Sequence, residues 1–407
     1  MKKFGLLGEK LEHSFSPQIH RMLGDYEYSL YEVPADSFDG FMKQNDLDGF
    51  NVTIPYKQAV IPYCGRLSDI AERTGSVNTI IKNSDGTYFG DNTDYAGFLS
   101  IMKQSKQAWH GKKALVLGSG GASKTVNAVL EDLGTSTVIT VSRNDKSNYC
   151  NISDHYDATL IVNTTPVGRF PNNGESLVDL SLFDQCEFVV DLIYNPLQTK
   201  LLLQAKKLGI SSSNGLLMLA EQARKTSELF TGTAIPEKIS YDIQKVIERQ
   251  IKNIILIGMP GCGKSTIGKY LSEITGRQFV DTDCIIEQKT HRKIPDIFLE
   301  SGEACFRAIE TEVLADVCKE SGYVISTGGG VVTVDHNRDL LMQNGTVVLL
   351  ERDQSKLLSE GRPVSQKKGI DTLYRERMPL YRMWSDMCFK DEDPRTMAHK
   401  IKEALNL

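Results

Sequence analysis

The sequence predicts an α/β chain of two successive bodies, on three observations. An apolar strand, Ala114–Leu117, runs into a glycine-rich turn and then a helix. A second, Ile254–Ile257, does the same far downstream. At 407 residues the chain also exceeds what one hydrophobic core usually supports, so two or three domains are expected.

Composition narrows the partners. A net charge of −5 argues against a nucleic-acid-binding surface. The 8 cysteines stand singly without a C-x-x-C pair, which favours reduced thiols over a disulfide frame or a zinc site. No apolar run approaches a membrane span, and Met1-Lys2-Lys3 is not followed by a signal-type apolar region. A cytoplasmic protein without nucleic-acid or membrane partners is expected; the oligomeric state is left open.

In chain order, Phe4–Leu7 is a short strand ending at Gly8. The loop Glu12-His13-Ser14-Phe15-Ser16-Pro17 follows, and Pro17 suits the start of a helix that Ser14 or Ser16 would cap. Capping explains one serine better than two. Gly49–Lys57 (GFNVTIPYK) is an alternating strand stopped by Pro55, with Thr53 and Lys57 at its end. Gly75–Ile80 (GSVNTI) and Gly90–Asp94 (GDNTD) bring Asn78 and Asp94 to further strand ends. Ligands of open α/β sheets bind outside such carboxyl ends, and this cluster of polar ends suggests a polyhydroxylated ligand.

From Lys113 the pattern changes. Ala114–Leu117 leads to Gly118-Ser119-Gly120-Gly121-Ala122-Ser123 and a helix through Leu133, a dinucleotide-type turn with Ser123 in the third glycine position. Thr137–Val141 ends in Ser142-Arg143-Asn144. NAD-binding versions place an acid near that point for the ribose 2′-hydroxyl, whereas Arg143 can pair with a 2′-phosphate. The cofactor expected is therefore NADP(H). Leu160–Val162 and Phe188–Leu192 continue the sheet, the latter running into Ile193-Tyr194-Asn195-Pro196. Asn214–Ala223 opens a helix that returns to the first subdomain, so a Rossmann unit is inserted between two parts of a substrate domain.

HSFSP, NVTIPYK, SVNTI, DNTDYAG, GSGGAS, DLIYNP and NGLLMLAEQA, in this order, resemble shikimate dehydrogenases over essentially all of residues 1–245. The resemblance implies a substrate-binding subdomain at 1–98, completed by about 220–248, and a Rossmann NADP-binding subdomain at 99–219. It implies Lys57 and Asp94 as the catalytic pair and Ser14 and Ser16 on the substrate carboxylate. Thr53, Asn78, Asp94, Tyr194 and Gln222 would surround the hydroxyls and ring. NADP would lie on Gly118, Gly120, Gly121, Ala122, Ser123, Ser142, Arg143 and Gly215, with Met218 against the nicotinamide or simply in the core. The chemistry fits, since reducing a ketone leaves an oxyanion that a lysine ammonium beside a carboxylate can neutralise and protonate. Two positions depart from the family pattern: Ser142 stands where Asn is frequent, and Arg21 follows His20 where Asn is usual.

Pro236–Gln250 is amphipathic, with Ile239, Ile243, Val246 and Ile247 on one face, and completes the first body. Lys252-Asn253 then enters the next strand without a Gly/Ser-rich linker. Ile254–Ile257 runs into Gly258-x-x-x-x-Gly263-Lys264-Ser265 and a helix from Thr266. Strand, glycine turn and helix N-terminus aim backbone N–H groups at one point, which attracts phosphate. Gly258 and Gly263 permit the turn, Lys264 reaches the outer phosphates, and Ser265 offers a hydroxyl to Mg²⁺.

Phe279–Asp283 (FVDTD) ends a strand. One of Asp281 and Asp283 would reach magnesium or its water and the other a substrate hydroxyl, unless Asp283 caps the next helix. Phe306–Glu310 (FRAIE) places Arg307 on a helix, where a lone arginine is ordinarily solvated. Ser326–Val332 (STGGGVV) holds three consecutive glycines, whose entropy cost suggests close approach of a ligand. Glu360–Asp371, containing Arg362 and followed by Tyr374–Tyr381 (YRERMPLY), reads as a lid.

GMPGCGKSTIG, FVDTD, FRAIE, STGGGVV, GRPV and YRERMPLY resemble shikimate kinases over about residues 252–407. This implies a P-loop kinase domain with a parallel sheet flanked by helices. ATP would lie on Gly258, Gly261, Cys262, Gly263, Lys264, Ser265, Thr266 and the lid's Arg362, with Mg²⁺ at Ser265 and Asp281. Shikimate would be held by Asp283, Arg307, Gly329 and Arg377. Lys264 and Asp283 would be catalytic, Asp283 orienting and deprotonating the attacking hydroxyl. The two resemblances imply reduction of 3-dehydroshikimate and phosphorylation of shikimate, consecutive steps in one chain. Two rivals stand against this: an NAD-linked quinate dehydrogenase in the first half, and a non-catalytic ligand sensor. Arg143 and the paired serines weigh against the first; the presence of Lys57, Asp94, Lys264 and Asp283 weighs against the second.

Overall fold

The structure, a computed structural model, describes residues 2–11, 14–143, 147–357, 369–390 and 392–407. The chain divides into two compact units. Met1–Gly168, Glu175–Tyr194 and Gln204–Ile247 form the first; Arg169–Gly174, Asn195–Leu203 and Glu248–Leu407 form the second.

The first unit opens with β1 (Lys3–Gly8), α1 (Ser16–Leu23), β2 (Glu27–Glu32), α2 (Phe38–Gln44) and β3 (Gly49–Val52). It continues with β4 (Cys64–Leu67), α3 (Asp69–Thr74), β5 (Thr79–Lys82) and β6 (Tyr88–Asp91). The strands make one mixed sheet in the order β2-β1-β3-β5-β6-β4, with β5 antiparallel to β3 and β6. Leu7, Phe50, Val52, Val77 and Ile80 supply part of its buried core. Pro17 does lie in the first turn of α1, but neither serine caps the helix. Phe15, with αR backbone, takes the cap position, and Ser14 Oγ accepts from the Ser16 N–H at 3.3 Å instead.

α4 (Asp94–Gln104) leads into β7 (Lys113–Leu117), α5 (Gly121–Asp132), β8 (Thr137–Val141), β9 (Leu160–Asn163) and β10 (Phe188–Asp191). α6 (Lys200–Lys207), β11 (Ser211–Asn214), α7 (Leu216–Thr231) and α8 (Lys238–Ile251) follow. β7 to β11 form an all-parallel sheet, order β11-β10-β9-β7-β8. Every residue of β9 and β10 is buried, as expected where helices cover both faces of a parallel sheet. α4 and α7 approach closely: a Cβ on Gly97 would stand 2.7 Å from the Met218 carbonyl.

The second unit contains β12 (Asn253–Ile257), α9 (Lys264–Thr275), β13 (Phe279–Asp281), α10 (Thr282–Thr290), α11 (Ile294–Val317) and β14 (Val324–Ser326). α12 (His336–Met342), β15 (Gly345–Glu351), α13 (Ile370–Trp384), β16 (Met387–Lys390) and α14 (Pro394–Ala404) complete it. Its parallel sheet runs β13-β14-β12-β15-β16, with β12 central and wholly buried. α9 begins at Lys264 rather than Thr266, because the left-handed Gly263 (φ +100°) already turns the chain into the helix. Among the described residues no helix is long and apolar enough to cross a membrane.

Candidate active sites

In the first unit the expected catalytic pair meets. Lys57 follows β3, Asp94 opens α4, and Lys57 Nζ donates to Asp94 Oδ2 at 2.6 Å with side chains 20% and 10% exposed. A helix N-terminus favours a carboxylate in that position. Asn78 Nδ2 donates to Asp94 Oδ1 at 2.9 Å, so both carboxylate oxygens are held. Ser16 is buried and Ser14 half-buried in the loop before α1. Phe15 between them lies edge-on to Tyr194, ring centroids 6.3 Å apart, which brings the loop after β10 to the serine loop. Thr53 lies against the end of β1, where a Cβ on Gly8 would stand 2.7 Å from Thr53 Cγ2. Met218 and Gln222 share one face of α7, and the gap at Gly97 presses that face onto α4. Met218 is buried with Phe98 and Val116.

The dinucleotide turn lies beside the Lys57–Asp94 pair. Gly118 has φ +108° and no room for a side chain, with Thr164 Oγ1 2.7 Å from where its Cβ would be. Open space surrounds Gly120, and Gly121 starts α5, whose first-turn N–H groups have no partners within the helix. Ala122 is half-buried, while Ser123 is buried beneath α5. The Gly118 N–H donates to the Val141 carbonyl at 2.8 Å, placing buried Ser142 and exposed Arg143 beside the turn. A Cβ on Gly121 would lie 3.0 Å from Ser76 Oγ and 4.0 Å from Lys57 Cδ, so the turn abuts the lysine. At Gly215 a Cβ would strike the Leu192 carbonyl; glycine there lets two backbones cross at the start of α7.

In the second unit a cleft of about 480 Å³ runs from the glycine-rich turn to Arg307, Glu310 and Arg377. Gly258, Gly261 and Gly263 all have positive φ, and Cys262 is buried between them. Lys264 Nζ donates to the carbonyls of Gly258 (2.8 Å) and Met259 (3.1 Å). Ser265 Oγ donates to Asp281 Oδ2 at 2.6 Å, and Thr266 follows at the cleft's edge. Asp281, not Asp283, caps α10, its Oδ1 accepting from the Asp283 N–H at 3.1 Å. β13 ends at Asp281, so Asp283 lies in the helix's first turn and faces inward. Burial, then the charges of Asp281 and Glu310, push its carboxyl up to about 6 against the pull of Lys264 and Arg307.

Arg307 Nη1 donates to Glu310 Oε2 at 2.6 Å; Glu310 is fully buried, and burial raises its carboxyl. Arg377, also buried, donates from Nη1 to the Gly329 carbonyl at 2.7 Å, which the Tyr381 hydroxyl reaches too. Among the described residues Arg307 Nε, Arg377 Nε and Glu310 Oε1 are buried without a partner. Two guanidinium groups with spare donors at one end of a cleft suit a carboxylate.

The triple glycine lines the cleft and also packs against protein groups. A Cβ on Gly328 would meet Glu310 and, at 2.9 Å, Asp283 Oδ1; one on Gly329 would stand 2.6 Å from Pro260; one on Gly330 would collide with Arg307. These groups of the site already exclude side chains there. Arg362 and most of the lid lie outside the described residues. Glu310, Tyr381 and Arg352, whose Nη1 donates to the Gly261 carbonyl at 3.3 Å, had no role from the sequence. The Arg307–Glu310 spacing on a helix was the one signal that could have marked Glu310.

Both halves match known families. Residues 6–80 match the shikimate dehydrogenase substrate binding domain, and residues 260–406 match shikimate kinase. A shikimate dehydrogenase (NADP(+)) from Clostridium perfringens is 34% identical over 269 residues, spanning 61% of this chain and 99% of that protein. A chorismate mutase/shikimate 5-dehydrogenase fusion protein from Clostridium acetobutylicum has a similar structure, with TM-score 0.57 and 35% identity over 61% of this chain and 97% of that one. The shikimate 5-dehydrogenase of Thermus thermophilus, solved with NADP(H) and shikimate, has TM-score 0.55 and 30% identity over 60% of this chain and 99% of that one. With a relative matched along nearly its whole length and a kinase model matched after it, the chain belongs to the shikimate dehydrogenase family and carries a C-terminal shikimate kinase domain.

Proposed function

We propose that the chain is a bifunctional enzyme, reducing 3-dehydroshikimate to shikimate with NADPH and phosphorylating shikimate to shikimate 3-phosphate from ATP. The observation that carries it is the presence of two assembled constellations in one chain. One is an ion pair abutting a dinucleotide turn; the other is a carboxyl, raised to about 6, between a P-loop and two arginines. Residues 1–98 with 220–248 would bind the substrate of the first step and 99–219 the nucleotide, and 252–407 would perform the second step. Cytoplasmic small-molecule chemistry fits both.

In the first site Ser14 and Ser16 donate to the substrate carboxylate, while Thr53, Asn78, Tyr194 and Gln222 read the hydroxyls and ring. The Gly118–Ser123 turn with Ser142, Arg143, Gly215 and Met218 would hold NADPH, which would supply the hydride. The residues fit it: space is open at Gly120 and Arg143 is exposed beside the turn. Lys57 gives one N–H to Asp94 and another to the carbonyl oxygen, handing over its proton as negative charge develops there. Asp94 balances the ammonium and orients it.

In the second site Arg307 and Arg377 take the carboxylate, with Gly329 lining the pocket. Asp283 receives the proton of the attacking hydroxyl. Gly258, Gly261, Cys262, Gly263, Lys264, Ser265, Thr266 and Arg362 would hold ATP. Ser265 and Asp281 would hold Mg²⁺, which neutralises phosphate charge; two adjacent protein oxygens suit an ion bound mainly by phosphate and water.

The test is a pair of variants in the full chain. Lys57→Ala should cut shikimate oxidation by NADP⁺ at least about a hundredfold and spare phosphorylation; Lys264→Ala should do the reverse. Loss of both activities in either folded variant would refute independent sites.

A further inference from the structure

Behind the Lys57–Asp94 pair lies a closed ring of buried hydroxyls that neither the sequence reading nor the mechanism uses. Thr79, Thr93 and Thr226 are 0%, 4% and 0% exposed. Their Oγ1 atoms stand 2.9 Å (Thr79–Thr226), 3.1 Å (Thr93–Thr226) and 3.2 Å (Thr79–Thr93) apart. The three come from different elements: β5, the residue before α4, and α7. Thr226 lies one turn beyond Gln222 and two beyond Met218, on the same face of α7.

Proton accounting gives the ring a direction. Asn51 Nδ2 donates to Thr226 at 3.0 Å, its nearest acceptor, and its second proton is shared between Thr79 and the Asn78 carbonyl, each at 3.2 Å. Thr226, receiving from Asn51, must donate into the ring. Thr79 and Thr93 then turn their own protons to Asn78 Oδ1, each at 3.1 Å, where the Thr93 N–H also arrives at 2.8 Å. Three donors on one oxygen fix the Asn78 amide, so Nδ2 must face Asp94, which it reaches at 2.9 Å. On the far side Tyr28 donates to Asn51 Oδ1 at 2.8 Å and is itself hydrogen-bonded to Ser16.

We infer that Thr226 is a positioning residue for the dehydrogenase site: its hydroxyl closes a hydrogen-bonded chain that sets the Asn78 amide and, through it, the Asp94 carboxylate that orients Lys57. The inference rests on the reading of Lys57 and Asp94 as the catalytic pair. Without Thr226 the Thr93 N–H would still hold Asn78 Oδ1, but the Thr79 and Thr93 hydroxyls would lose the donor that directs their protons to it, leaving the amide less tightly placed, and small misplacements at a reacting centre are costly.

The experiment compares Thr226→Val, which keeps shape and removes the hydroxyl, with Thr226→Ser, which keeps the hydroxyl. Steady-state shikimate oxidation by NADP⁺ in the full chain should show kcat down roughly tenfold in Thr226→Val, with KM for shikimate within about twofold. Thr226→Ser should restore kcat to within about twofold of the parent, which a purely space-filling role does not predict. Should Thr226→Val fail to bind NADP⁺ and so prove misfolded, Thr226→Cys, with its weak hydrogen-bonding group, takes its place with the same expected loss. A crystal structure of the same variant reads the geometry without turnover: the Asn78–Asp94 hydrogen bond should be lengthened or lost. An unchanged kcat, an equal loss in Thr226→Ser, or an intact Asn78–Asp94 bond overturns the inference. A parent chain without dehydrogenase activity would instead count against the proposed function, and the crystal structure would still decide the role of Thr226.

Discussion

The two sites handle buried charge in opposite ways. In the first unit Asp94 is closed: one oxygen takes the Lys57 ammonium, the other takes Asn78, and a ring of threonines stands behind them. In the second unit Asp283 and Glu310 lie together in a buried pocket with spare arginine donors and a spare Glu310 oxygen among the described residues. A site for hydride transfer must keep a proton donor aimed at a carbonyl, so an assembled ion pair serves it. A phosphoryl-transfer site must receive a carboxylate, phosphates and a proton, so it stands with acceptors and donors waiting. Such a site is strained until its ligands arrive, and stability is given up for function there.

That contrast can be broken most sharply at Asp283. Asp283→Asn should lower phosphorylation at least about a hundredfold while leaving the dehydrogenase untouched. It should also stabilise the second unit. The carboxyl, raised from the ordinary 3.8 to about 6, favours the protonated folded state, so its cost is absent below pH 3.8 and grows as pH rises through 6. Removing it should gain up to about 3 kcal/mol at pH 8 and nothing near pH 3.5. Calorimetry at both pH values checks the sign, and a variant less stable at pH 8 would contradict it.

The first unit should show the reverse slope. His20 is buried, stacked 3.8 Å from Tyr28 and bonded through Nδ1 to the Tyr26 hydroxyl at 2.7 Å, and burial lowers its imidazole to about 3. The folded state therefore refuses a proton that the unfolded chain accepts. Stability is complete above pH 6.5 and falls by about 1.4 kcal/mol for each pH unit below it. Urea unfolding of the first unit at pH 7 and pH 5 should show this loss, and His20→Gln should flatten it; an equal slope in that variant would remove His20 as the cause.

The smallest expected effect sharpens the role of the triple glycine. A Cβ at Gly330 meets first the guanidinium end of the Arg307 side chain, whereas one at Gly329 meets the Pro260 ring and its backbone nitrogen. Gly330→Ala should therefore fold normally and raise KM for shikimate in the kinase assay roughly tenfold, the scale of one charge-assisted hydrogen bond. Gly329→Ala should lose thermal stability first. A normal KM in Gly330→Ala would mean that Arg307 does not hold the substrate.

Much of this was legible in the residues, and what escaped has identifiable causes. β9 and β10 read as buried strands because every side chain is apolar or ends the strand, whereas β11, SSSN, lies on a sheet edge and carries no such signal. One of Ser14 and Ser16 was expected to cap α1, and the structure leaves both out of the cap. The glycines of STGGGVV were read as marking close approach of a ligand, but the protein groups that also crowd them, Glu310, Pro260 and Arg307, come from three other segments. Thr226 lies in a helix that reads as ordinary amphipathic sequence.

Local chemistry needs only neighbours along the chain. Strand, glycine turn and helix N-terminus lie within a dozen residues of one another, so the two glycine-rich turns, the strand ends and the fold class followed from sequence alone. Charge state, amide orientation and steric exclusion depend on what other segments bring to the same few ångströms. For that reason only the tertiary structure decided that Asp281 caps while Asp283 faces inward, that Glu310 braces Arg307, and that three distant threonines close behind Asp94.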